Sequence, residues 1–167
     1  GDGINDTELI SGIVLDKDRV SKEMPVLVNN ARIALIDFAL EIKNPEIDTK
    51  ISISSPDQLQ GFLGQEERVI KNMIEKVKMS GANVIFCQKG IDEFAQYLLS
   101  KEKIYACRRV SKSDMEKLAK ATGGRIVSNL NELSSVELGR ASTVEEVKHA
   151  DDSLTYIGGC QNPKAMT

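Results

Sequence analysis

The 167-residue chain has no tryptophan, a single histidine, three cysteines and four prolines, and only 4% of its residues are aromatic. Each shortage excludes something. The lone His149 stands beside a predicted hairpin turn with no partner for a catalytic or metal role. Cys87, Cys107 and Cys160 are odd in number and widely spaced, and two of them lie in apolar, strand-like runs. Reduced, partly buried thiols of a cytoplasmic protein are therefore expected, and a disulfide framework or C-x-x-C metal site is not. No apolar run approaches the ~20 residues of a membrane span. No signal peptide opens the chain, which starts Gly1-Asp2-Gly3 without Met, and such a start suggests an excised fragment. The net charge of −3 offers no basic field for nucleic acid or an anionic membrane. What is present, 41% hydrophobic and 28% charged residues, suits one soluble globular domain.

Strands are predicted at 13–15 and at 31–38, the latter (A-R-I-A-L-I-D-F) nearly continuous in apolar residues and so buried on both faces. Ile47, Thr49, Ile51 and Ile53 alternate with polar residues, the pattern of a half-buried strand. Ser55-Pro56-Asp57-Gln58 then opens a helix: serine as N-cap, proline in the first turn, acid near the positive helix end. Apolar positions recur from Leu59 to Val77, and Gly81 supplies the left-handed stop. Such a helix runs about 38 Å, too long to lie wholly against so small a domain. Its first half carries two helix-weakening glycines, Gly61 and Gly64, among Leu59, Phe62 and Leu63. Periodicity alone reads those three as a helix–helix contact. Residues 45–55, however, hold too little apolar material to bury that face, which favours an exposed, sticky tip.

Beyond Gly81 the pattern becomes regular. Strands are expected at 83–87, 104–107 and 125–127, and helices at 91–101 and from a cap at Ser113-Asp114-Met115-Glu116 to Thr122, ended by Gly123-Gly124. This β-α-β-α-β order predicts parallel strands with right-handed crossovers in an α/β domain. A helical turn at 134–138 and an antiparallel hairpin of 141–147 with 154–157 complete the chain.

Catalytic constellations are wanting. Neither G-x-G-x-x-G nor G-x-x-x-x-G-K-[ST] occurs. Gln88-Lys89-Gly90 sits between a strand and a helix, where α/β enzymes bind phosphate, and the basic residues Arg108, Arg109, Lys112, Lys117 and Lys120 follow. These support one alternative reading, a small α/β phosphate- or nucleotide-binding enzyme domain, although a solvated helix face explains the basic stretch better. Asp92, Glu93, Asp114 and Glu116 complement helix dipoles and do not converge as an acid–base pair. Cys87 has the position of a nucleophile, but no second histidine is available as its base.

Particular strings match a family. Ala82-Asn83-Val84-Ile85-Phe86-Cys87-Gln88-Lys89-Gly90-Ile91-Asp92 resembles the signature of group II chaperonin apical domains, and Ala95-Gln96-Tyr97-Leu98, Arg108-Arg109-Val110 and Lys112–Leu118 continue it. Glu8–Lys17, Met24-Pro25, Ala31–Asp37 and Ile53–Pro56 match upstream, and Gly159-Cys160 with Asn162–Ala165 downstream. The strings are collinear over nearly the whole chain and are most similar to archaeal thermosome subunits.

The resemblance implies an apical domain over residues 1–167: a β-sandwich with flanking helices and one long helical protrusion at about 44–67 that closes the ring cavity as a lid. It implies capture of unfolded or partly folded polypeptide, with Asp92, Gln96, Tyr97 and Ser100 exposed on the helix 91–101 and Lys22 and Met24 on the neighbouring loop. Leu59, Phe62 and Leu63 would form the apolar patch of the lid. No cofactor or metal is implied for this fragment. ATP and magnesium would belong to an equatorial domain outside it, as would the ATPase activity. The implied partners are polypeptide clients and neighbouring subunits of a cytoplasmic double ring. The fragment by itself is expected to be monomeric, without nucleic-acid or membrane binding.

Overall fold

The computed structural model describes residues 12–42 and 56–160, the side chains of 56–65 excepted. Seven strands form one sheet: β1 (Ile13–Leu15), β2 (Leu27–Ile36), β3 (Val84–Cys87), β4 (Tyr105–Cys107), β5 (Ile126–Val127), β6 (Gly139–His149) and β7 (Asp152–Cys160). Three α-helices accompany them among the described residues: α1 (Pro56–Ser80), α2 (Glu93–Lys101) and α3 (Lys112–Thr122).

Strand β2 joins two halves of different character. Its first part pairs antiparallel with β6, from Leu27↔Glu145 to Ile33↔Gly139. Its last part lies parallel to β3, from Ile33↔Val84 to Ile36↔Cys87, and to β5 through Leu35↔Ile126. Ile33, Ala34, Leu35 and Ile36 are fully buried, as the unbroken apolar run requires of a central parallel strand. The strand begins at Leu27, earlier than the apolar run suggests, because pairing with β6 holds the polar Asn29 in line opposite Thr143.

Alternate residues of these strands face opposite cores. Ala34, Ile36, Ile85 and Cys87 pack with Ile70, Ile74 and Val77 of α1 and with Ala95 and Leu99 of α2. On the other side Ile33, Leu35, Val84 and Phe86 pack with Met115 and Leu118 of α3. The same core takes Ile13, Leu15, Val144 and Ile157 from the antiparallel half, so the sheet curls until its ends meet. The expected sandwich layers are thus the two halves of one curled sheet. Closure is completed by Val20, whose N–H donates to Ala106 O on β4 at 2.9 Å.

Helix α1 stops where expected, with Gly81 at φ 93°. Among its described side chains Glu66 to Arg68 are exposed, Val69, an apolar position of the helical pattern, is 47% exposed, and Ile70 is buried. The turn 66–69 therefore does not serve the core. The side chains of Leu59, Phe62 and Leu63, the expected strand at 47–53 and most of the expected protrusion lie outside the described residues.

Three local expectations need correction. The cap of α3 is Ser111, whose hydroxyl accepts from Asp114 N at 3.1 Å; Ser113 is already inside the helix. The hairpin is longer than predicted, β6 and β7 pairing up to His149↔Asp152 around a turn at Ala150-Asp151, with Ala150 at φ 59°. The turn at 134–138 is a 3-10 segment closed by a capping box between Ser134 and Glu137, and a further 3-10 turn at Leu130–Glu132 was unforeseen.

Candidate functional site

Helix α2 is short, strongly capped and half buried. The Asp92 side chain accepts from Phe94 N at 2.8 Å, an N-cap that also sets a negative charge at the positive helix end. Ala95 and Leu99 are the buried face, while Phe94 and Leu98 are only partly buried against it. The opposite face carries Tyr97, 56% exposed. Its ring stacks on Phe94 at 6.2 Å between centroids, and Lys101 Nζ lies 5.5 Å from it in a cation–π contact.

Alongside this face runs the segment following β1. Together they enclose an open groove of about 510 Å³ lined by Ser21, Glu23, Glu93, Gln96, Tyr97, Ser100 and Lys101. The helix thus contributes positions spaced three or four residues apart, one ridge of its surface. Of the predicted contact residues, Gln96, Tyr97 and Ser100 come together here. Gln96 Nε2 donates to Ile91 O at 2.8 Å and Ser100 Oγ to Gln96 O at 2.8 Å, which fixes both side chains along the helix. Asp92 is a helix cap beside the groove, and Lys22 is an exposed loop residue outside its lining.

Met24 is a correction. Its side chain is 2% exposed and belongs to the core shared by α1, α2 and the sheet, so it anchors the loop from beneath. Being the largest apolar side chain of a mostly polar loop, it has the strongest drive to be buried. Four groove residues were missed: Ser21, Glu23, Glu93 and Lys101. The signal for Glu93 and Lys101 was available, since they stand four residues from Tyr97 on either side.

At the alternative phosphate site three backbone donors are already engaged. At the turn from β3 to α2, Gln88 N donates to Ile36 O at 3.0 Å, Asp92 N to Leu40 O at 2.8 Å, and Phe94 N to the Asp92 carboxylate. Lys89 is exposed, and so are Arg108, Arg109, Lys112, Lys117 and Lys120, the disposition of a solvated face. Cys87 is buried, its thiol donating to Phe38 O at 3.1 Å, and burial pushes its pKa up to about 11, the wrong direction for a nucleophile. His149 is exposed at the hairpin tip. Among the described residues no group of three or more His, Cys, Asp or Glu side chains could hold a metal ion. Nor, among the described residues, is any helix long and apolar enough to cross a membrane.

The described residues thus form a curled α/β sheet with an open groove beside a capped helix. The chain belongs to the TCP-1/cpn60 chaperonin family, whose model matches residues 1–167. Within that family it is similar to thermosome subunits. Thermosome subunit alpha of Thermoplasma acidophilum is 59% identical over 167 residues, which cover 100% of this chain and 31% of that subunit. Thermosome subunit beta of Archaeoglobus fulgidus is 54% identical over the same length, again 31% of it. The fold matches the open-state monomer of a group II chaperonin from Methanococcoides burtonii with a TM-score of 0.74 and 39% identity, over 90% of this chain and 31% of that one. The chain therefore spans 31% of the relatives' length.

Proposed function

We propose that this chain is the apical, polypeptide-capturing domain of a group II chaperonin, and that the α2 groove is a capture surface for non-native clients. The exposed Tyr97 carries the reading. It is a large amphipathic side chain held rigid by Phe94 and Lys101, with a polar wall opposite. Aromatic groups of this kind add contact area at low entropic cost, and the flanking Glu93 and Lys101 can meet charges of either sign on an extended chain. Such a surface suits clients of diverse sequence.

The outer part of α1, with the segment 44–67, is proposed as a built-in lid. The observation behind it is that residues 66–69 of α1, Val69 included, are exposed. ATP and magnesium chemistry is assigned to parts of the subunit outside this chain, where it would drive enclosure of clients by a cytoplasmic double ring. In this reading the 167-residue chain by itself binds unfolded polypeptide and does not bind nucleotide.

The test is a fluorescence titration of the chain with a reduced, carboxymethylated globular protein that cannot refold, paired with calorimetric titration of ATP. Saturable polypeptide binding that Tyr97→Ala weakens, with no ATP binding, is the expected result. Stoichiometric ATP binding lost in Lys89→Ala would instead establish the phosphate-binding alternative.

A further inference from the structure

The wall of the groove opposite α2 is a segment without regular structure, residues 16–26, and something must hold it. One arginine does most of that. Arg19 Nε and Nη2 both donate to Glu146 Oε1, at 3.0 and 2.8 Å, and the Arg19 backbone N–H donates to Glu146 Oε2 at 3.0 Å. The remaining nitrogen, Nη1, turns back into the loop and donates to Lys22 O at 3.2 Å and to Met24 O. Both side chains of the ion pair are only 12% exposed. Glu146 stands on β6, paired with β7 through Thr155, and its own N–H donates to Val26 O at 2.9 Å where the loop ends.

The guanidinium thus bridges a rigid strand and the carbonyls on either side of Glu23. The Lys22 carbonyl belongs to the peptide that leads into Glu23, whose N–H donates to Ser21 Oγ at 3.2 Å, so the guanidinium holds the stretch that carries both loop residues of the groove. Only an arginine has a planar fork with donors enough for both tasks; a lysine ammonium offers three donors from one point. We propose that Arg19 and Glu146 are positioning residues for polypeptide capture, a clamp that pre-forms the loop wall so that a client does not have to order it. The inference rests on the groove being the capture surface, as proposed above. Pre-forming a loop strengthens binding by removing the ordering cost from the binding step.

The experiment compares Arg19→Lys, Glu146→Gln and Arg19→Ala with the parent chain and with Tyr97→Ala. It uses the fluorescent, carboxymethylated unfolded protein as probe, at a temperature where every variant is folded, so that lost stability cannot itself lower affinity. Amide hydrogen exchange is read at Val20 and Met24, whose N–H groups donate to Ala106 O and Ser21 O. Expected are faster exchange at those two amides, unchanged protection at residues 33–36, and affinity reduced roughly three- to tenfold, least for Arg19→Lys. A loosened loop with unchanged affinity, while Tyr97→Ala still weakens binding, overturns the clamp and leaves the groove standing. Unchanged exchange at Val20 and Met24 overturns the clamp as well. If Tyr97→Ala is also without effect, the groove reading itself falls.

Discussion

The Tyr105 hydroxyl lies 2.7 Å from Thr155 Oγ1, which ties β4 to β7 although the two strands stand far apart in the order of the sheet. Thr155 spends its own proton on Lys17 O at 2.8 Å, so Tyr105 is the donor in the pair. Both residues are fully buried. The contact is where the curled sheet closes, and it also pins the chain as it leaves β1.

Removing the two partners should therefore have unequal effects. Thr155→Val leaves a buried tyrosine hydroxyl and the Lys17 carbonyl without this partner, and should cost about 1–3 kcal/mol. Tyr105→Phe leaves Thr155 bonded to Lys17 and should cost about 1 kcal/mol or less. Denaturant midpoints of both variants and the double variant measure this. A Thr155→Val effect no larger than that of Tyr105→Phe would mean that the hydroxyl of Tyr105 finds another partner.

The thiols should be silent in the native protein. Burial raises Cys87 to about 11 and Cys107 to about 12, and raises Cys160 above its ordinary value of 9.0. Since the thiolate is the reactive species, alkylation at pH 8 should be slow until the chain unfolds. A chromogenic thiol assay in buffer and in denaturant checks this. Rapid modification of any of the three in buffer would show local opening around it.

Two neighbours on α2 should behave oppositely. Leu99 is fully buried and Leu99→Ala should cost 2–5 kcal/mol, as large-to-small changes in a core do. Tyr97→Ala, on the exposed face, should stay within about 1 kcal/mol yet weaken polypeptide binding. Thermal unfolding and the probe titration separate the two effects. A Tyr97→Ala variant as unstable as Leu99→Ala would make Tyr97 structural.

How much was legible beforehand follows from the range of each interaction. Periodicity and capping are local, and they located α1, β3, α2 and the stop at Gly81. The parallel pairing of β3 with β4 followed from helices alternating with strands, whereas β5, expected in the same series, lies parallel to β2. What could not be read were contacts between distant segments. Nothing near Met24 says that its loop folds over a core built by α1 and α2. Nothing near Arg19 points to Glu146, far along the chain. Gly124 illustrates the limit. Its neighbour Gly123 is a helix stop, at φ 76°, as read from sequence. Gly124 itself serves a close approach, since a Cβ there would come within 2.8 Å of Gly139 N.

That approach gives a further prediction. A Cβ on Gly139 would lie 2.1 Å from Thr122 Oγ1, the hydroxyl that donates to Leu118 O at the end of α3. Gly139→Ala must push α3 from β6 or turn the threonine out of its bond. The expected cost is about 1–3 kcal/mol, measured by denaturant unfolding. A neutral result would show that α3 can shift freely.

Acid should release the clamp. Burial raises the Glu146 carboxyl, but the hydrogen bonds from the Arg19 side chain and backbone and the Arg19 charge outweigh it, with help from Lys148, and hold it below its ordinary value of 4.5. From β4, Tyr105 and Cys107 also feel this carboxylate, and each is uncharged near neutral pH because burial raises its own pKa. A carboxyl whose folded pKa is depressed binds its proton more readily in the unfolded chain. Its contribution to stability is thus complete above about pH 4.5 and is lost as pH falls through the lower, folded value. The parent chain should exceed Glu146→Gln in denaturant midpoint by a constant margin near neutral pH. That margin should shrink as pH drops below 4.5, where the other carboxylates titrate alike in both proteins. A margin that grows on acidification would mean Glu146 takes up its proton more easily when folded, and the ion pair with Arg19 would not be what holds the loop.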